Sequence, residues 1–84
     1  MKFNLPKEDY LFLMDNSEKE ISKTIEEIED KNNNIFFIAD ADDLLGLITD
    51  AVFLYGMDDE YAPTDIGKRL YNIYDELLYQ KKNN

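Results

Sequence analysis

The chain has 84 residues, with 19 Asp and Glu against 9 Lys and Arg, a formal net charge of -10, and neither His nor Cys. Those missing residue types remove the commonest general base, the thiolate nucleophile, disulfide frameworks and the usual zinc ligands. The negative field argues against direct nucleic-acid binding and against anionic membranes, since both need Lys and Arg, and makes a basic protein surface the expected partner.

Apolar residues are 44% of the chain and include five Phe and six Tyr, too much hydrophobic material for a disordered acidic segment. One acidic globular domain over residues 1–84 is expected, burying about 60–65% of its unfolded surface. The N-terminus lacks the apolar run of a secretory signal, and no stretch approaches a membrane span. A chain without Cys fits a reducing cytoplasm.

Pro6 opens the first helix, with Glu8 and Asp9 at the positive end of its dipole. At roughly 100° per residue, Tyr10, Met14, Ile21, Ile25 and Ile28 fall within about 60° of one another, one stripe with Phe12 and Leu13 off it. This predicts a helix over 7–31, or two helices broken near Asn16, where Ser17 and Glu20 have the spacing of a capping box. A strand at Tyr10–Met14 is a third reading. Lys31-Asn32-Asn33-Asn34 is the clearest loop. Ile35-Phe36-Phe37-Ile38 after it suits a strand whose obvious partner is Lys2–Leu5; without that pairing it is core-filling loop or an early helical turn.

Asp40 caps the next helix, Asp42 and Asp43 sit in its first turn, and Gly56 suits a left-handed ending. Leu44, Ile48, Val52 and Tyr55 share a face that Leu47, Ala51 and Leu54 widen, with Phe53 nearly opposite. A helix apolar over most of its circumference is expected at the centre of the domain. Met57–Pro63 is a second loop. Thr64 caps the last helix, which Lys81 and Lys82 close, with Ile66, Leu70, Ile73 and Leu77 as its core seam. Tyr71, Tyr74 and Leu78 form a second row, giving an apolar arc of roughly 160°, wider than one packing face requires. The fold class expected is therefore mainly α: a small bundle of three to four helices, with a short two-stranded β-ribbon (residues near 2–5 and 35–38) as an optional addition.

No catalytic constellation emerges, because no Ser, Thr or Lys has a His to act as base and no phosphate-binding Gly-rich loop exists. Neither enzyme activity nor a cofactor is expected. Asp40, Asp42 and Asp43 invite a Ca²⁺ or Mg²⁺ reading, but Leu45 and Ala51 stand where an EF-hand needs Gly and Glu. The alternative is that these acids serve the helix start. Joined in space by Asp58, Asp59, Glu60 and Asp65, they would form one acidic patch steering a basic partner. Tyr61, Tyr71 and Tyr74 would supply buried contact area there.

No motif is specific enough to name a family. Toxin-immunity proteins, phage inhibitors of host enzymes and DNA-mimicking proteins share this size and charge, a likeness of type that covers no alignable residues. The leading expectation is stoichiometric binding that neutralises or regulates a basic partner. A homodimer sealed by the apolar arc, a DNA mimic and a Ca²⁺ or Mg²⁺ binder are the alternatives.

Overall fold

The computed structural model describes residues 1–83. The elements in chain order are β1 (Lys2–Pro6), α1 (Lys7–Asp15), α2 (Glu20–Thr24), β2 (Ile25–Lys31), β3 (Asn34–Ala39), α3 (Ala41–Tyr55) and α4 (Asp65–Lys82). The mainly α bundle is thus overturned. This is an α+β fold, an antiparallel three-stranded sheet of order β1-β3-β2 with four helices.

The correction centres on residues 25–31. Ile21, Ile25 and Ile28 repeat at helical spacing, but the segment is too acidic to bury a full helical face, and the turn beyond it dictates something else. Asn32 and Asn33 both adopt positive φ, 53° and 63°. Two successive left-handed residues between paired strands are the mark of a type I′ hairpin, whose twist matches that of the strands it joins. Lys31 therefore faces Asn34, Asp30 faces Ile35, and β2 is laid along β3. A bulge between Glu26 and Glu29, with Glu27 at φ 52°, then breaks the alternation. Ile28, expected in the buried stripe, is 56% exposed.

β1 pairs with the other side of β3, Phe3 opposite Phe37 and Leu5 opposite Ile35. Period-2 alternation puts Phe3, Leu5, Ile35, Phe37 and Ala39 on the buried face. Pro6 ends the strand and starts α1, and the Lys7 N–H donates to the Asn33 carbonyl (3.0 Å), tying the helix start to the hairpin turn. Tyr10–Met14 is helical. Leu13, off the predicted stripe, is fully buried, while Phe12 carries the Arg69 guanidinium 4.2 Å above its ring. The helix breaks near Asn16, as one reading had it, without the capping box. The Ser17 hydroxyl donates backward to the Leu13 carbonyl (2.6 Å), and α2 begins with no side-chain cap.

α1 and α4 pack on the sheet, and α3 packs on α4 and α2. α3 gives Leu44, Leu45, Ile48, Ala51 and Val52 to the core, while the opposite side of the helix is exposed. Both predicted caps form: Asp40 accepts from the Asp43 N–H (3.0 Å), and Thr64 from the Gly67 N–H (3.2 Å). Gly56 is not left-handed (φ -109°). Its small size serves a different purpose, because a Cβ there would lie 2.6 Å from the Gly67 Cα, and a Cβ on Gly67 would run into the Gly56 carbonyl. The two backbones touch, and the Thr64 N–H donates to that same carbonyl (2.9 Å). Ile66, one turn before Leu70, falls outside the core seam and is exposed.

At the far end of α4, Gln80 closes the open edge of β1. Its Nε2 donates to the Asn4 carbonyl (2.8 Å) and its Oε1 accepts the Asn4 N–H (3.0 Å), as a neighbouring strand would. Gly67→Ala is expected to force α3 and α4 apart and lower stability by about 1–3 kcal/mol, the usual range for overpacking. Urea denaturation checks it, and a variant as stable as the parent would contradict the backbone contact.

Candidate interaction surface

No polar or charged side chain is buried among the described residues, and no three acidic side chains converge so as to hold a metal ion. The Asp40–Asp43 run therefore offers no assembled ligand set: Asp40 caps α3, and Asp42 accepts from the Lys81 ammonium (2.8 Å). Asp43 is exposed beside them.

The two acidic stretches do not meet. They flank opposite ends of the 15-residue helix α3, which at about 1.5 Å per residue holds them roughly 20 Å apart. In the second stretch, Asp58 is occupied by its own loop. Its carboxylate accepts the N–H groups of Glu60 (2.9 Å) and Ala62 (3.0 Å), and Met57 bridges to Pro63. Asp59 and Glu60 face solvent, Asp65 lies in the first turn of α4, and Tyr61 stands at the loop tip, 83% exposed at φ 60°. The acids Glu26, Glu27, Glu29 and Asp30 were missed as a group because their segment reads as one face of a helix. In β2 they charge an edge strand, a common guard against edge-to-edge pairing.

The predicted tyrosine row is largely accounted for by α3. The antiparallel register is the same at both ends, Gly56 against Gly67 and Asp42 against Lys81. Carried along the pair, it sets Val52 level with Tyr71 and Thr49 level with Tyr74. Tyr74 and Leu78 are half-buried against the core, whereas Tyr71 is exposed.

The larger surprise lies on α3 itself. Its C-terminal turn leaves Phe53, Leu54 and Tyr55 exposed at 63%, 61% and 44%. Leu54 was expected to widen the core face; no neighbouring element covers it. Phe53 was readable as an outlier, since it falls nearly opposite the buried residues. Tyr55 donates its hydroxyl to the Glu18 carboxylate (2.8 Å), which holds its pKa above the ordinary phenol value.

By helical position, Asp42, Asp43, Gly46, Leu47, Asp50, Phe53 and Leu54 share the solvent side of α3 within an arc of about 140°. A recess of about 410 Å³ lies along it, lined by Thr24, Asp42, Asp43, Gly46, Leu47 and Asp50. A second, of about 390 Å³, adjoins it through Thr24 and Asp43 and adds Glu26, Asp40 and Lys23. Such a surface can receive cationic and apolar groups together. Three ion pairs are present among the described residues, Lys7–Asp30, Arg69–Asp9 and Lys81–Asp42, so most of the acid stays unneutralised.

The Lys81 ammonium lowers the pKa of Asp42, first by its hydrogen bond and then by its charge. A carboxylate depressed in the folded state adds stability above its unfolded pKa and loses it as pH falls through the folded value. Both groups are exposed, so that contribution is small. Lys81→Met is expected to return Asp42 to the ordinary carboxylate range in a carboxyl-carbon NMR titration with the fold retained. An unchanged Asp42 titration would show that the pair is not formed.

No protein-family model, curated protein or solved structure matches this chain, leaving geometry and charge as the grounds for function.

Proposed function

We propose that the protein binds a basic protein surface stoichiometrically through the solvent side of α3, and by doing so neutralises or regulates that partner. The observation that carries this reading is the exposure of Phe53 and Leu54 on a helix whose outer face otherwise bears Asp42, Asp43 and Asp50. An exposed Leu or Phe forgoes about 1.5–3 kcal/mol of burial energy, which a partner can recover on docking. Tyr71, on the adjoining turn of α4, extends the apolar contact, and the surrounding acids raise the on-rate of a cationic protein.

Acids lie on β2, at both ends of α3 and on α4, rather than in one row. That distribution supports recognition of a protein surface over mimicry of a nucleic-acid backbone. Among the described residues no helix is long and apolar enough to cross a membrane. The absence of Cys leads us to place the protein's action in a reducing compartment, the cytoplasm.

Pull-down from a cell extract is expected to retain a basic protein at low salt and lose most of it at moderate salt, as screening shortens the reach of exposed charges. Phe53→Ser with Leu54→Ser should weaken capture by about tenfold or more. Capture that ignores both salt and these substitutions contradicts the reading. So does sedimentation equilibrium showing a homodimer that the same double substitution dissociates, because the face would then already be covered.

A further inference from the structure

We propose that the bare stretch of α3 backbone at Gly46 is the docking point for a cationic amphipathic helix of the partner. This rests on the reading that the outer side of α3 meets a basic protein, and it names the part of that protein that is met.

Gly46 sits in the interior of a 15-residue helix, where Gly is the least favourable residue after Pro. Nothing in the fold calls for it. Its φ is not positive, and a Cβ added there would meet no atom within 4 Å, in contrast to Gly56 and Gly67, whose backbones touch. The missing side chain instead leaves bare backbone in the shallow, open depression between Asp43 and Asp50, which Leu47 and Thr24 also line.

Along the helix, the outer side reads as four successive layers: acid at Asp42 and Asp43, bare backbone and Leu47, acid at Asp50, then Phe53 and Leu54. The layers are spaced by three or four residues, one helical turn, so the surface that matches them in spacing is another α-helix. Its complementary face carries Lys or Arg, a bulky apolar residue, Lys or Arg, and a second apolar residue at i, i+3 or i+4, i+7, and i+10 or i+11. The first apolar residue seats on Gly46, where the absent Cβ lets the two helices approach to the short end of the usual 8–10 Å axial separation. The cations meet Asp43 and Asp50, neither of which is in an ion pair among the described residues; Lys81 is engaged with Asp42, and Lys23 borders the adjoining recess. Charge thus selects this occupant over a second copy of the chain, whose own α3 would set acid against acid.

The test is an NMR titration of the full chain with a capped 14-residue helical peptide carrying Arg and Leu in that register, alongside the same peptide with Glu for Arg. The Arg peptide is expected to shift the amides of Asp43, Gly46, Leu47 and Asp50, and the Glu peptide to shift none. Gly46→Leu should weaken the Arg peptide by about tenfold or more, with the melting temperature unchanged or raised. Gly46→Ala, which suits the helix better, should raise the melting temperature and weaken binding less. If Gly46→Leu binds as the parent does while the shifts stay on α3, the Gly46 docking point is overturned and basic-surface binding stands. If the Arg peptide does not bind, or is matched by the Glu peptide, the helical occupant at Gly46 is overturned and basic-surface binding is decided by the pull-down; if it shifts β2 or the 58–65 loop instead, binding through α3 is overturned as well.

Discussion

The contact of Gly56 with Gly67 is the constraint on which the arrangement of this protein depends. At this point α3 and α4 meet backbone to backbone, and the Gly56 carbonyl is taken up by the N–H of Thr64, the residue that caps α4. The loop between them is short, and Asp58 ties it internally, so the chain reverses direction with little freedom at the turn. Close approach there sets the register of the whole pair. Leu44, Ile48 and Val52 are directed inward with Leu70, Ile73 and Leu77, and Asp42 meets Lys81 at the far end. The same register turns Phe53 and Leu54 to solvent, because an α3 docked close to α4 on one flank and to α2 on the other has no element left to cover its outer side.

The two edges of the sheet are protected by different physics. β1 offers an unpaired N–H and carbonyl at Asn4, and the primary amide of Gln80, with one donor and one acceptor a strand-like distance away, satisfies both. β2 is left open but bulged and lined with Glu, so that a second copy approaching it meets like charge. A substantial part of the net charge therefore guards an edge, which separates it from the acids of α3 that border apolar surface. The charge serves at least two purposes in one small body, and composition alone does not divide it between them.

Local rules were legible wherever a few adjacent residues decide the outcome. Asp40 and Thr64 cap helices because their side-chain oxygens reach N–H groups three residues on, a matter of bond lengths that no distant contact alters. Ile35–Ile38 is a short run of β-branched and aromatic residues and Lys2–Leu5 alternates polar with apolar, both of which suit strands, and they pair. Ile21, Ile25 and Ile28 misled because three residues at helical spacing weigh little against a turn of two left-handed residues; Asn32-Asn33 held that signal, since Asn tolerates positive φ. Gly56 suited a helix ending, and nothing adjacent in the sequence marked Gly46 or Gly67. Gly56 and Gly67 let backbones touch and a Cβ on Gly46 would meet nothing, a distinction that requires knowing what lies opposite each.

The candidate site follows the same division. The sequence by itself determined the sign of the charge, the absence of His and Cys chemistry, the helix starts at Asp40 and Thr64, and the apolar character of α3 over most of its circumference, because each depends on residue types or on contacts a few positions apart. Only the tertiary structure decided which apolar residues of α3 are covered, that the acids at its two ends stand about one helix length apart, and that Asp42, but not Asp43, is in an ion pair among the described residues. Burial and pairing are properties of what packs against a residue, and here that neighbour is fixed by a glycine contact between segments that a periodicity of 3.6 residues cannot see.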